Sequence, residues 1–82
     1  MSELRLIPGV GIETEKDLLL LGYDTVASLK GADPEEMYAR ECRMKGGKVD
    51  RCQLYVYRCA VYFASTSDPD PALLRWWHWK DE

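Results

Sequence analysis

The stretch that most constrains the fold is Ile7-Pro8-Gly9-Val10-Gly11, and Gly22 follows it eleven residues later. Proline disfavours helical geometry in the residue before it, and glycine accepts turn conformations that other residues resist. Between the two glycine sites lies an apolar run, Leu18-Leu19-Leu20-Leu21. The sequence therefore predicts a tight turn over residues 8–11 and then a helix from about Ile12 to Leu21, ended by Gly22 as a left-handed cap.

An apolar residue, a glycine turn and a following helix are the pattern of a helix-hairpin-helix motif. Such a turn can place backbone N–H groups at a helix start, where they hold a phosphate oxygen without any side chain. We expect the N–H groups of Val10, Gly11 and Ile12 to point outward, beside Gly9 and with Lys16 as the nearest basic side chain. The hairpin thus predicts weak, sequence-nonspecific contact with the backbone of DNA, or of RNA.

Negative charge beside the hairpin favours a second interpretation. Glu13 and Glu15 stand in the first turn of the predicted helix, where they repel an approaching phosphate. The hairpin would then be a structural connector or a protein-contact turn. In that case the chain is a protein-interaction module, and its acidic first half and its tryptophan-rich tail face the partner. The residues leave both interpretations open.

Glycine and proline residues divide the 82 residues into short helical segments within one domain. Asp33-Pro34 and Asp70-Pro71 each pair a capping residue with a proline suited to the first helical position. We predict an all-α domain of five to six short helices, a bundle of the SAM-like or tandem helix-hairpin-helix type. Residues 1–41 would form a hairpin and a degenerate second hairpin, 48–65 a central helix, and 70–82 a tryptophan-rich tail.

Charge is distributed unevenly along the chain. Residues 1–41 carry nine acidic and four basic side chains, whereas residues 42–58 carry five basic and one acidic. Nucleic-acid affinity depends on Lys and Arg, so the concentrated basic segment is the second candidate surface. On a helix over 48–65, one face collects basic and aromatic residues: Lys48, Arg51, Tyr55, Arg58 and Tyr62. Such a face is typical of a surface that follows a phosphate backbone, and also of a solvated central helix.

The chain contains three cysteines, Cys42, Cys52 and Cys59. This number is odd and too small for a disulfide framework. With His78 they could in principle complete a zinc site, but no Cys-x-x-Cys pair is present, so we expect no metal or other cofactor. No apolar run approaches the roughly 20 residues that cross a bilayer, and the N-terminus lacks a signal-peptide pattern. We therefore expect a cytoplasmic protein that does not bind membranes.

The remaining features favour a non-enzymatic domain. Trp76, Trp77 and Trp79 crowd the tail, and a chain this small needs their apolar area, so we expect the tail to fold back with one tryptophan left exposed. The sequence contains neither a Gly-rich phosphate loop ending in Lys-Ser or Lys-Thr nor a nucleophile elbow. We expect no catalytic residues and no small-molecule substrate.

The chain resembles the small bacterial pathogenicity-locus family in six stretches: Ile7-Pro8-Gly9-Val10-Gly11, Leu18-Leu19-x-Leu21-Gly22, residues 31–36, residues 50–52, residues 55–62 and the tail motif Trp76-Trp77-x-Trp79-Lys80. The resemblance covers nearly the whole chain and implies a stand-alone helical protein with a helix-hairpin-helix start. The wider helix-hairpin-helix class implies nonspecific contact with nucleic-acid backbones. That class often has Lys where this chain has Glu13, and Ala where it has Glu15.

Overall fold

A computed structural model describes residues 3–47 and 49–80. Three α-helices account for most of the regular structure: α1 (Ile12–Leu20), α2 (Pro34–Met44) and α3 (Cys52–Ser65). The described residues contain no strand, so the predicted all-α class is confirmed. No helix in this part of the chain combines the length and the apolar character needed to cross a bilayer.

The predicted count of five to six short helices is not confirmed. Segments expected to form the additional helices are instead single 3₁₀ turns, at Glu3–Leu6, Ala27–Leu29, Pro71–Leu74 and Trp76–Trp79. The first two lie close to glycine and proline residues, where too few residues remain to repay the cost of nucleating an α-helix.

The Asp70-Pro71 start signal is followed by two 3₁₀ turns rather than by one helix. They are separated because Arg75 has extended backbone angles.

The central helix is shorter than predicted. It begins at Cys52, because Asp50 turns the chain there and its carboxylate accepts the Cys52 N–H at 2.9 Å. Lys48, the expected first residue of this helix, lies outside the described residues.

Gly22 ends α1 as predicted. Its φ of +96° is in the left-handed region, where glycine carries no side-chain penalty. The Gly22 N–H donates to the Leu19 carbonyl at 3.0 Å, and the Tyr23 N–H donates to the Leu18 carbonyl at 2.9 Å. This pair of bonds is the Schellman arrangement, which satisfies the last carbonyls of a helix.

The core forms where the other elements meet α3. Val56, Tyr57 and Ala60 of α3 are buried in it. Each preceding element adds apolar side chains: Leu4, Ile7, Val10, Leu18, Leu21, Leu29 and Met37. The tail contributes Trp76, which is partly buried against this cluster. Both ends of the described chain therefore pack against the same core.

A buried polar network also joins the three α-helices. Glu41 of α2 has no exposed surface. One of its carboxylate oxygens accepts from the Tyr57 hydroxyl at 2.6 Å, and the other lies 2.9 Å from Lys45 Nζ. Lys45 Nζ lies 2.9 Å from an Asp17 carboxylate oxygen, and Gln53 donates to the other oxygen. The carboxylates of Glu41 and Asp17, which are fully and mostly buried, thus have an opposite charge and a hydrogen bond, as burial requires, whereas the Lys45 side chain stays 43% exposed.

Candidate nucleic-acid interface

Two backbone hydrogen bonds shape the hairpin. The Ile7 N–H donates to the Leu4 carbonyl, and the Val10 N–H donates to the Ile7 carbonyl, both at 3.1 Å. Gly9, between them, has a φ of +88°. The Val10 side chain is buried in the core. The N–H group of Val10 is therefore already used inside the hairpin, rather than being directed outward with those of Gly11 and Ile12.

The N-terminus of α1 lacks a side-chain cap. Gly11 is the N-cap residue, with extended backbone angles and no side chain that could accept a hydrogen bond. Within the part of the chain that the structure describes, the N–H groups of Gly11 and Ile12 donate no hydrogen bond. By contrast, the start of α2 is capped, because Asp33 accepts the Glu35 N–H at 3.0 Å. Donors at an uncapped helix start are those that bind an anion.

The fold requires a glycine at position 9 but not at position 11. A Cβ on Gly9 would meet Trp76 at 3.3 Å, and its positive φ is unfavourable for any other residue. A Cβ on Gly11 would meet nothing within 4 Å, and its φ of −99° suits any residue. Neither packing nor backbone conformation therefore explains a glycine at position 11. Close approach of an outside group to the backbone would explain it.

Internal ion pairs reduce the negative charge at the hairpin. Glu15 lies 3.7 Å from the Arg5 guanidinium, and its side chain is mostly buried. Glu13 and Lys16 are exposed on α1. Of the two glutamates expected to oppose phosphate, Glu13 is the one that faces solvent.

The basic face of α3 is partly occupied by the fold itself. Arg58 donates to the Trp79 carbonyl at 2.7 Å and to a Glu35 carboxylate oxygen at 2.6 Å. Its guanidinium also lies 5.7 Å from the centre of the Tyr55 ring, within cation–π distance. Arg58 therefore joins α3 to α2 and to the tail, and its charge is compensated within the chain.

The tail (residues 70–80) covers the C-terminal half of the same face. The Tyr62 hydroxyl accepts from the Asp70 N–H at 2.8 Å, and the Tyr62 and Trp79 rings are 5.5 Å apart. Trp76 packs against the core, whereas Trp77 keeps 48% of its surface exposed. The expectation of a folded-back tail with one exposed tryptophan is confirmed.

Arg51 is exposed, and its guanidinium lies 5.8 Å from the centre of the Tyr38 ring. Gln53, which contacts Asp17 of α1, is two residues later and so about 200° around the helix axis from Arg51. Arg51, the residue before α3, is therefore directed away from α1. Gly9, Gly11, Ile12 and Lys16 lie together at the glycine turn and the start of α1, whereas Arg51 lies beside Tyr38 of α2.

Two of the cysteines hold their thiol protons more tightly than a free thiol does. Burial raises the pKa of the Cys59 thiol, and a hydrogen bond to Asp50 raises the pKa of the Cys52 thiol. Within residues 3–47 and 49–80, no three His, Cys, Asp or Glu side chains are grouped so that they could hold a metal ion.

The family model Cdd1, described as pathogenicity locus, matches residues 1–82. The chain belongs to this family. No curated protein and no solved structure matches it significantly. The sequence of this pathogenicity-locus protein does not reveal the network around Glu41 or the contact between Gly9 and Trp76. The local signal for the network is Glu41 followed four positions later by Lys45, but pairs with this spacing are equally common on helices whose charged side chains are solvated.

Proposed function

We propose that this pathogenicity-locus protein is a non-enzymatic module that binds the phosphate backbone of nucleic acid, DNA foremost, weakly and without sequence preference. The observation that carries the proposal is Gly11, an open glycine at an uncapped helix start. A phosphate oxygen would accept from the N–H groups of Gly11 and Ile12, with Lys16 one turn further along α1 adding positive charge. Such binding needs no cofactor, and the reducing bacterial cytoplasm, where the three cysteines would stay free thiols, is the compartment it suits.

We also propose that residues 3–44 contain a helix-hairpin-helix and its degenerate repeat. The Glu3–Leu6 turn, the glycine turn at Gly9 and α1 follow in the same order as the Ala27–Leu29 turn, the glycine turn at Gly31 and α2. Both glycines have positive φ, +88° and +75°. A Glu3 carboxylate oxygen accepts from the Val26 N–H at 2.8 Å, which joins the starts of the two units. The repeated order supports a tandem arrangement of the SAM-like type.

The proposed site predicts low affinity with a shallow salt dependence. One uncapped helix start and one lysine can neutralise about one or two phosphates, so the slope of log K against log salt should lie near −1 to −2. Arg58 does not add to this number, because its guanidinium is paired with Glu35 and the Trp79 carbonyl.

The test is a fluorescence-anisotropy titration of the whole chain against labelled duplex DNA, single-stranded DNA and RNA, at low and at physiological salt. Gly11→Asp is the decisive variant, since its carboxylate would accept the first-turn N–H groups and repel phosphate. Gly47→Asp is the matched control, because Gly47 is equally open and lies outside the hairpin. We expect Gly11→Asp to weaken binding at least tenfold and Gly47→Asp to leave it nearly unchanged.

Absence of binding at low salt would refute the proposal. Loss of binding in Gly47→Asp but not in Gly11→Asp would place the contact on the basic segment near α3 instead.

A protein-interaction role is the second candidate, and exposed Trp77 is the observation that favours it. Its ring packs edge-on against Trp76 at 5.8 Å between centroids, and that contact holds a large apolar surface toward solvent. Aromatic side chains of this kind often anchor protein interfaces. Partner binding that survives high salt and is lost in Trp77→Ala would support this role over the first.

A further inference from the structure

The exposed tryptophan of the tail stands beside the glycine hairpin. Trp76 packs against Gly9, since a Cβ on Gly9 would lie 3.3 Å from Trp76 Cδ1. The ring centroids of Trp76 and Trp77 are 5.8 Å apart. Gly11 follows Gly9 by two residues, which separates their Cα atoms by at most about 7.6 Å. The Trp77 indole therefore lies within three short steps of the N–H groups that begin α1.

Trp77 presents a large aromatic surface to solvent. It is 48% exposed, whereas Trp76 is partly buried against the core. The planes of the neighbouring Trp76 and His78 rings are inclined to the indole by 87° and 76°, so neither ring is stacked face to face on it. Exposed aromatic rings of this kind are platforms on which unpaired nucleobases stack.

Basic side chains flank the exposed indole. Arg75, two residues before Trp77, and Lys80, three residues after it, are both exposed. Surfaces that bind single-stranded nucleic acid combine positive charge, which attracts the phosphates, with aromatic rings, which take the bases. The charge beside Trp77 therefore favours a nucleic-acid strand over an uncharged apolar partner.

We infer that Trp77 is a stacking platform for an unpaired base and that the nucleic acid held by the hairpin is single-stranded, an inference that rests on the proposed function. The N–H groups of Gly11 and Ile12 hold a phosphate, and Trp77 takes a base of the same strand. A duplex keeps its bases stacked inside, out of reach of an indole that approaches from outside. Every base has a π face, so this contact adds affinity without sequence preference.

Fluorescence anisotropy of the whole chain at low salt, with three labelled ligands, tests the inference. The ligands are a single strand of deoxythymidines, a duplex, and an abasic strand that keeps the phosphates but lacks the bases. We expect the wild type to bind the single strand at least about fivefold more tightly than the abasic strand, since one stacked base contributes this much or more. We also expect it to bind the single strand more tightly than the duplex.

Variants of Trp77 test whether this residue supplies the advantage. Trp77→Ala should remove it and leave the affinities for the duplex and the abasic strand nearly unchanged, whereas Trp77→Phe, which keeps a ring, should retain part of it. Met44→Ala is the matched control, because Met44 is 50% exposed but ends α2, and it should change none of the three affinities. The single strand should also quench the tryptophan fluorescence of the wild type, and Trp77→Phe should lose most of that quenching.

Equal affinities of the wild type for the single strand and the abasic strand would overturn the inference. Gly11→Asp separates its failure from that of the proposed function. If Gly11→Asp weakens binding of all three ligands and Trp77→Ala weakens none, the hairpin contact stands and base stacking is refuted. If Trp77→Ala weakens single-strand binding and Gly11→Asp has no effect, base stacking stands and the hairpin contact is refuted. Absence of binding to all three ligands overturns both.

Discussion

Trp76 of the tail lies against Gly9 of the hairpin, so closely that a Cβ on Gly9 would be 3.3 Å from Trp76 Cδ1. The two residues come from opposite ends of the chain. Gly9 also has a φ of +88° and closes the turn that leads into α1. The tail therefore supports the segment from which the proposed phosphate donors project, and hairpin geometry and tail packing are coupled.

Gly9→Ala tests this coupling. We expect the free energy of unfolding to fall by about 1–2 kcal/mol, because alanine is strained at positive φ, with the clash against Trp76 adding to the loss. Gly11→Ala, at negative φ and in open space, should change it by less than about 0.5 kcal/mol. Urea unfolding of both variants measures the difference. Equal effects would contradict the contrast drawn between the two glycines.

Arg58 should act on stability rather than on nucleic-acid affinity. Arg58→Met keeps the apolar stem but removes the bonds to the Trp79 carbonyl and to Glu35. We expect a loss of about 1.5–3 kcal/mol, since a hydrogen bond to a charged group is worth about that much. Hydrogen exchange should show faster opening of the tail. Arg43→Met is the control, because Arg43 is exposed on α2. If Arg58→Met weakened nucleic-acid binding without destabilising the chain, Arg58 would belong to the interface.

The features that could be predicted from the sequence are those fixed by neighbouring residues. The cap at Gly22 and the start of α2 at Asp33-Pro34 depend on local backbone preferences, and both occur as expected. The 3₁₀ turns were mistaken for short α-helices, because capping signals mark where a helix starts but not whether enough residues follow.

The features that could not be predicted depend on long-range packing. The spacing of Arg58 on α3 marks it as one of a row of basic residues, and nothing local reveals that Trp79, 21 residues later, folds back to accept its N–H. Glu41 likewise resembles any charged residue in a helix. Its burial depends on the packing of α3 against α2, which brings the Tyr57 hydroxyl to it.

The Tyr57 hydroxyl should contribute measurably to stability. Tyr57→Phe removes the 2.6 Å bond to buried Glu41, so we expect a loss of roughly 1–3 kcal/mol from an undersatisfied buried carboxylate. Tyr55→Phe is the matched control on the same helix, since the Tyr55 hydroxyl forms no hydrogen bond with the described residues. Chemical unfolding of both variants measures the two losses. A cost for Tyr55→Phe as large as that for Tyr57→Phe would contradict the importance of the network.

Stability should fall at alkaline pH. Burial raises the pKa of Cys59 above its ordinary 9.0 and is also the main cause that raises the pKa of Tyr57 above 10.0. Hydrogen bonds to Asp17 and Glu41 raise the pKa of Lys45 above 10.5. The folded chain thus holds these protons more tightly than the unfolded chain. The contribution of the three protonated side chains to the free energy of unfolding is complete below about pH 9 and is lost as the pH rises further.

Urea unfolding between pH 7 and pH 11 measures this loss. Tyr57 alone can contribute up to about 1.4 kcal/mol per pH unit above its ordinary pKa. The slope in Tyr57→Phe should be shallower than in the wild type by up to that amount. Equal slopes in the two proteins would show that Tyr57 ionises alike in the folded and unfolded chains.

The cysteines should differ in their rates of alkylation. Cys52 is exposed, but its hydrogen bond to Asp50 raises its pKa, so less of it is thiolate than in a free thiol at the same pH. Asp50→Asn keeps a side-chain acceptor for the Cys52 N–H while removing the charge. We expect Cys52 in this variant to react faster with iodoacetamide at pH 8, measured by peptide mass spectrometry. Buried Cys59, in the same sample, should react only as fast as the chain unfolds. Asp70→Asn is the control, because Asp70 caps a turn of the tail, and it should leave the alkylation rate of Cys52 unchanged. If Asp50→Asn also left that rate unchanged, Asp50 would not hold the thiol proton.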